Sequence, residues 1–323
     1  MPIYQYTSLI AELRQLNNDL VALSCPSCGG RDPSLIWRRD RYFLDVNLSA
    51  CRQCGLVYLA RGLSGEAQSR FYSHIYPRLM RQPPPSKAIC HYRLLAGYRY
   101  SEINAVIGEF RSVLDVGAGL GFFLDACRGH GCKQYMGIEP GGPQREHAVN
   151  VLGLGECVRA GYLDEDTQLP FTPHLVTLFH VLEHLDEPGK ALRRIAQFID
   201  PDGWLVIEVP DILAEWPELG LQQVHISHRS YFCSRTLESL LRSNGFEVHR
   251  VFREPYGIYE GNLRVYARLG DAQVAAEQSV THQALNELKE HITKQIRPWS
   301  LRNGYPRAAV RLLRLSFQGG ERG

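Results

Sequence analysis

Residues 112–126, SVLDVGAGLGFFLDA, constrain the fold of this chain more than any other stretch. An apolar run, a glycine-rich turn and the apolar start of a helix follow one another without a break. That order predicts a buried strand and a helix of an α/β sheet, joined by a turn that offers backbone N–H groups to a nucleotide-like ligand. A dinucleotide fingerprint places glycines at positions 1, 3 and 6 and seats a pyrophosphate on the helix N-terminus. Here the glycines are Gly117, Gly119 and Gly121, and Asp115 stands just ahead of them. A carboxylate at the strand end repels a pyrophosphate. It suits an amino-acid ammonium and an uncharged, thioether-type linkage.

More landmarks follow downstream. The run 135–139 ends in Glu139, 18 residues past Gly121 and close to the ~20 expected of an acid that accepts hydrogen bonds from a ribose diol. Residues 156–160 read as a third strand leading into Gly161, Tyr162, Leu163 and Asp164. A fourth strand, 175–179, precedes His180, Val181, Leu182, Glu183 and His184, and 201–210 read as a turn and a fifth strand. A helix over 234–244, stopped by Gly245, and two strands at 247–254 and 263–268 complete the pattern.

In this order, over about residues 100–270, these segments resemble the class I S-adenosylmethionine-dependent methyltransferases. The resemblance implies an α/β fold with a Rossmann-like, seven-stranded sheet whose last two strands form an antiparallel hairpin. It implies S-adenosylmethionine as cofactor, bound by Asp115, Gly117, Ala118, Gly119, Gly121 and Phe122 at the first turn. Glu139 takes the ribose, Tyr162 and Leu163 flank the adenine, and His180 belongs to the loop after the fourth strand. His184 on that loop is a candidate substrate contact. The spacing of His180 and His184 suits a metal pair, but no third ligand stands nearby in the sequence.

A second signal lies near the N-terminus. Cys25-Pro-Ser-Cys28-Gly and Cys51-Arg-Gln-Cys54-Gly are two CxxCG turns with 22 residues between them. Each turn supplies half of a tetrahedral thiolate site, and the pair reads as a four-cysteine structural Zn²⁺ site in a zinc ribbon, with residues 35–37 and 42–44 as its hairpin. Two disulfides are the alternative. The absence of a recognisable secretory or membrane-spanning segment, and the odd total of nine cysteines, favour reduced thiols and a cytoplasmic protein.

These anchors divide the chain into a leading helix (1–24), the zinc ribbon (25–60), a helical lid (61–110), the cofactor domain (111–270) and a C-terminal helical extension (271–323). Pro83-Pro84-Pro85 breaks the lid into two aromatic-rich helices. Tyr72 and Tyr76 on the first resemble an aromatic pattern of sugar-modifying family members and are candidate substrate contacts. The tail beyond Pro306, with Arg307, Arg311 and Arg314, reads as a basic helix. It is either a solvated face or a contact for an anionic surface.

The acceptor chemistry points to residues 224–237. Methyl transfer to oxygen or activated carbon is an in-line displacement that needs alignment and removal of a proton, and histidine suits the second task near pH 7. Aligning Tyr231-Phe232 with the family's aromatic pair puts His228 on the histidine of its acidic-His signature, with Tyr231 as a substrate contact. Ser227 replaces the usual Glu or Gln, which makes His225 a competing base. The acceptor implied is a small molecule such as a nucleotide-linked sugar, methylated at carbon or oxygen. RNA base methylation is the alternative, because Arg31, Arg38, Arg39, Arg41 and Arg52 lie in the ribbon beside Trp37 and Tyr42. Against it stands a net charge of only +2. A fold retained for binding without turnover is the third reading, and the intact Asp115, glycines and Glu139 count against it.

Overall fold

The computed structural model describes residues 7–80, 86–215, 223–254, 261–271 and 280–299. Pro83-Pro84-Pro85 and the basic helix expected from Pro306 lie outside them. The elements in chain order begin with α1 (Thr7–Asn18), β1 (Val21–Ala22), β2 (Pro33–Trp37), β3 (Leu48–Cys51), β4 (Val57–Leu59), β5 (Arg61–Gly62), α2 (Gly65–Arg70), a π-helical turn (Phe71–Ile75) and α3 (Tyr76–Met80). Next come α4 (Ser86–Ile107), β6 (Ser112–Val116), α5 (Phe122–Gly129), β7 (Gln134–Glu139), α6 (Gly142–Glu146), β8 (Val158–Ala160) and β9 (Leu175–Phe179). The series closes with α7 (Pro188–Phe198), β10 (Trp204–Pro210), β11 (Ser230–Tyr231), α8 (Ser234–Arg242), β12 (Phe246–Arg253), β13 (Asn262–Leu269) and α9 (His282–Trp299).

Two compact units share the chain. The sheet unit comprises Pro83–Asp211 and Phe232–Ala276, and the ribbon unit Met1–Gln82, Ile212–Tyr231 and Glu277–Gly323.

In the sheet unit seven strands run in the order β12-β13-β10-β9-β6-β7-β8. The five from β8 to β10 are parallel, while β13 is antiparallel to both β10 and β12. All five residues of β6 are buried, as a parallel strand covered on both faces requires. The order reverses at β6, whose neighbours are β7 and β9. Ligands of open α/β sheets bind at such a switch point, beyond the carboxyl ends of the strands. Ala96 and Ile103 of α4 pack into this core with Val113, Phe123, Leu124 and Val206. The strand expected from residue 156 starts at Val158, because Gly155–Cys157 form a 3₁₀ turn.

In the ribbon unit four antiparallel strands are ordered β11-β4-β3-β2. The expected hairpin between 35–37 and 42–44 does not form. Instead β2 pairs with β3, Leu35 opposite Ser49. Residues 42–44 are drawn away because the N–H groups of Tyr42 and Leu44 donate to Asp40 Oδ1 at 2.8 and 3.0 Å. The chain turns there through Phe43 at φ +67°. The expected lid also divides: α2 and α3 belong to the ribbon unit and α4 to the sheet unit. Helix α9 packs on β2, buries Leu285, Ile292 and Ile296, and places Lys289 Nζ 3.3 Å from Ser34 Oγ. Among the described residues no helix is long and apolar enough to cross a membrane.

Candidate functional site

The sheet unit builds its site around the turn between β6 and α5. Gly117 and Gly121 have φ of +73° and +83°, a region that glycine enters without steric cost. Space forbids a side chain at either: a Cβ on Gly117 would collide with Val181, and one on Gly121 would lie 2.7 Å from both Ala148 and Leu154. The N–H groups of Gly117 and Ala118 donate to the carbonyl of Ile138 at 2.8 and 3.1 Å, tying the turn to β7. Glu139, at the end of β7, accepts from the N–H of Gly119 at 2.7 Å and of Gly141 at 2.6 Å. Glu139 is thus joined directly to the glycine turn. Burial raises its pKa and those two N–H groups oppose the rise.

Asp115 is buried and accepts from Thr177 Oγ1 at 2.7 Å. Burial pushes its pKa up to about 7, against the Thr177 hydrogen bond and the positive charge of Arg99. A cationic ligand beside it restores the ionised form. Tyr162, with 64% of its surface exposed, and Leu163 follow β8 on a turn whose Gly161 N–H lies 3.4 Å from the Glu139 carbonyl.

His180 stands directly after β9, on the loop that the resemblance implies. Its φ is +58° and its N–H donates to the Glu208 carbonyl at 2.8 Å. The ring lies between Glu208 (Nε2 to Oε1, 3.2 Å) and Glu183 (Nδ1 to Oε1, 3.4 Å). Burial alone would lower its pKa, but the two carboxylates outweigh burial and raise it to about 9. His180 thus faces two carboxylates at once. It is one pole of a buried ionic cluster. Glu208 accepts from Arg99 Nε at 3.2 Å and from Arg264 Nη2 at 2.6 Å. Arg264 Nη1 lies 2.8 Å from Glu254 Oε1, and Tyr98 Oη donates to Glu254 Oε2 at 3.0 Å. Glu208 and Arg264 are fully buried. Sequence reasoning passed over Arg99, Glu208, Glu254 and Arg264. The available signal was a lone carboxylate, Glu208, inside the apolar run of β10. His184 ends the 3₁₀ turn after β9, half-buried.

The ribbon unit carries the histidine turn. The His225 and His228 rings lie tilted at 49° with centroids 3.7 Å apart, because the His228 N–H closes a turn on the His225 carbonyl at 3.0 Å. Ser227 Oγ lies 2.5 Å from His225 Nδ1. Tyr231 Oη accepts from the His225 N–H at 3.1 Å and lies 3.2 Å from its carbonyl. Tyr72 Oη donates to the Ser227 carbonyl at 3.4 Å, and the Tyr76 ring lies 5.6 Å from that of Tyr72. Tyr72, Tyr76, His225, His228 and Tyr231 therefore belong to one aromatic neighbourhood.

The same unit gathers Cys25, Cys28, Cys51 and Cys54, whose Sγ atoms all lie within 4.8 Å of one another. The Cys25–Cys54 and Cys28–Cys51 distances are 3.5 Å, far beyond the ~2.05 Å of a disulfide. They approach the ~3.8 Å edge of a tetrahedron of thiolates ~2.3 Å from a metal. Gly29 and Gly55, at φ +73° and +76°, let each knuckle close with an N–H donated to the carbonyl of its first cysteine.

Residues 65–251, more than half of the chain, match the family described as Methyltransferase domain. The chain belongs to this family. Its curated relatives include the C-methyltransferase NovU of Streptomyces niveus, 23% identical over 260 residues that cover 78% of this chain and 57% of NovU. The chain therefore spans little more than half the length of that relative. Solved structures of similar fold include the mitomycin 7-O-methyltransferase MmcR, with 20% identity, 60% of each chain covered and a TM-score of 0.45. Another is the magnesium protoporphyrin IX methyltransferase of Synechocystis PCC 6803, 17% identical, with 63% of this chain and 94% of that one covered and a TM-score of 0.43.

Within the methyltransferase domain, the structure groups Asp115, Gly117, Ala118, Gly119, Gly121, Phe122 and Glu139 at the switch point. Phe122 opens α5, with its ring beside His147 at 5.1 Å. His225, His228, Tyr72, Tyr76 and Tyr231 are grouped in the ribbon unit instead.

Proposed function

We propose that this protein transfers the methyl group of S-adenosylmethionine to a carbon or oxygen of a small molecule, a nucleotide-linked sugar in the first instance. The observation that carries the reading is the junction of Asp115, the glycine turn and Glu139 in a chain of the methyltransferase family. The residues suit the cofactor: Glu139 offers carboxylate oxygens to a ribose diol, buried Asp115 offers a charge to the ammonium, and Gly119, where a Cβ would meet nothing within 4 Å, leaves the turn open. When bound, the cofactor supplies an electrophilic methyl on a sulfonium. The name of NovU, a C-methyltransferase, supports carbon as the acceptor atom.

The chain's own part is to bind, align and deprotonate. In this reading His225 or His228 takes the acceptor's proton. Ser227 holds the Nδ1 side of His225, standing in for the missing acid of the signature. Cys25, Cys28, Cys51 and Cys54 hold a structural Zn²⁺ that organises the ribbon. The RNA alternative loses one of the ribbon's arginines to the interior. Arg38 and Arg39 both pair with Asp45, Arg52 pairs with Asp32, and Arg41 is buried.

The test is transfer of isotopically labelled methyl from S-adenosylmethionine to a panel of nucleotide sugars, scored by mass spectrometry. A labelled product that the His225→Asn/His228→Asn variant no longer makes supports the reading. Label appearing on RNA fragments and on none of the sugars overturns it.

A further inference from the structure

The turn that carries His225 and His228 is bound to the ribbon by backbone contacts from residues far away in sequence. The Arg41 N–H donates to the Val224 carbonyl at 3.0 Å, the Leu59 N–H to the Arg229 carbonyl at 3.3 Å, and Ser230 and Tyr231 pair with Tyr58 and Val57 of β4. A further tie runs through a buried carboxylate. Asp40 is fully buried. Its Oδ1 accepts from Tyr42 and Leu44, as described above, and its Oδ2 accepts from the N–H of Ile226 at 3.0 Å.

That last bond falls on the peptide joining His225 to Ile226, inside the turn that brings the two imidazoles together. On its other side the His225 backbone is held by Tyr231 Oη. The peptide that sets the direction of the His225 ring is thus gripped from both sides, by a carboxylate of the ribbon and by a phenol of β11. A buried carboxylate needs compensation, and three N–H donors with the neighbouring Arg41 supply it. Removing one donor leaves a buried acceptor without a partner, so the carboxylate and the turn constrain each other.

We propose that Asp40 is a positioning residue for methyl transfer, holding the His225–His228 turn in its working geometry through the Ile226 amide. This rests on the reading that the turn bears the base. In this proposal Asp40 acts on the chemistry through the turn that it holds. An amide in place of the carboxylate can accept at Oδ1 from Tyr42 and Leu44, but it then faces the Ile226 N–H with an NH₂ group. Asp40→Asn therefore strikes the link to the turn and spares the ribbon's own hairpin bend.

The experiment compares wild type, Asp40→Asn, His225→Asn/His228→Asn and the triple variant in steady-state methyl transfer. Zinc content and S-adenosylhomocysteine affinity are measured on each. For Asp40→Asn the expected result is a fall in kcat of about 10- to 100-fold, the scale of a misplaced catalytic group, with zinc stoichiometry, cofactor affinity and acceptor KM within about twofold of wild type. In the double-histidine background the same substitution should change the residual kcat by less than about twofold. An unchanged kcat in Asp40→Asn overturns the positioning role, as does an equal loss in both backgrounds. Full activity of the double-histidine variant overturns the underlying base assignment instead. If Asp40→Asn does not fold, amide hydrogen exchange of the wild-type protein decides: the Ile226 amide should be protected like those of β3 and β4, and exchange as fast as an exposed loop overturns the proposal.

Discussion

Glu208 and Asp40 are both fully buried carboxylates, and they are stabilised in opposite ways. Burial would raise the pKa of Glu208, but Arg99, His180 and Arg264 surround it and hold it well below the ordinary carboxylate range. Asp40 is met by three backbone N–H groups and the charge of Arg41, and burial still pushes it up to about 7. Glu208 is answered by opposite charges, and Asp40 chiefly by amides. Near neutral pH Glu208 is therefore fixed as an anion, while Asp40 sits at the edge of protonation. Their linkage to stability runs in opposite directions. Glu208, with its pKa depressed, contributes stability that is present above the unfolded value near 4.5 and is lost as pH falls through the folded one. Asp40, with its pKa raised, contributes more as pH falls from about 7 toward 4.

Zinc removal separates the two regions most sharply. A strong chelator should unfold the ribbon unit, since structural zinc sites supply their domain's folding energy. Methyl transfer should disappear, while S-adenosylhomocysteine affinity of the sheet unit stays within about threefold. Calorimetric titration before and after chelation reads this, and cofactor binding lost in step with zinc would break the comparison. Next in size is Arg264→Met. It leaves Glu208 and Glu254 short of a buried cation, and breaking such a pair costs about 3–5 kcal/mol. Denaturant unfolding measures it, and a loss below about 1 kcal/mol means that the cluster is not what holds that end of the sheet.

His180→Asn sharpens the contrast further. With a folded pKa of about 9 against an unfolded value near 6.5, His180 contributes stability that is fully present below about pH 6.5 and lost as pH rises through 9. The wild-type advantage over the variant should shrink by about 2 kcal/mol across that window, as read from unfolding curves at several pH values. A constant difference shows that the imidazole is neutral throughout. Arg52→Ala is the smallest expected effect. Its pair with Asp32 is exposed, and such pairs contribute roughly 0–1 kcal/mol. A shift larger than that in the same assay would assign the arginine a role beyond its ion pair.

The parts of the molecule that were legible in the sequence are those specified by neighbours along the chain. Strands β6, β7, β9 and β10, and the placing of Gly117, Gly121 and Glu139, follow from local apolar runs, glycine spacing and turn chemistry. The two CxxCG knuckles are equally local, and their four sulfurs do converge. What escaped was determined across long sequence separations. Arg99 on a helix and Arg264 on a strand look like ordinary surface charges until Glu208 draws both inward. Residues 42–44 have the apolar pattern of a strand, yet Asp40 captures two of their amides and bends them out of the sheet. The two-residue strand β11 is too short for any periodicity, and only the open edge of β4 explains why it forms. The setting of His180 was hidden for the same reason: its ring is flanked by Glu183 and Glu208, of which only Glu183 is close in sequence.

The account stands most directly on the junction of the glycine turn with Glu139, so the decisive measurement is calorimetric titration of S-adenosylhomocysteine into zinc-loaded wild type and Glu139→Gln. Micromolar binding by the wild type, weakened at least about tenfold by the substitution (~1.4 kcal/mol), is the predicted result. Folded protein that binds no S-adenosylhomocysteine, or that binds it equally well without the Glu139 carboxylate, would contradict the account.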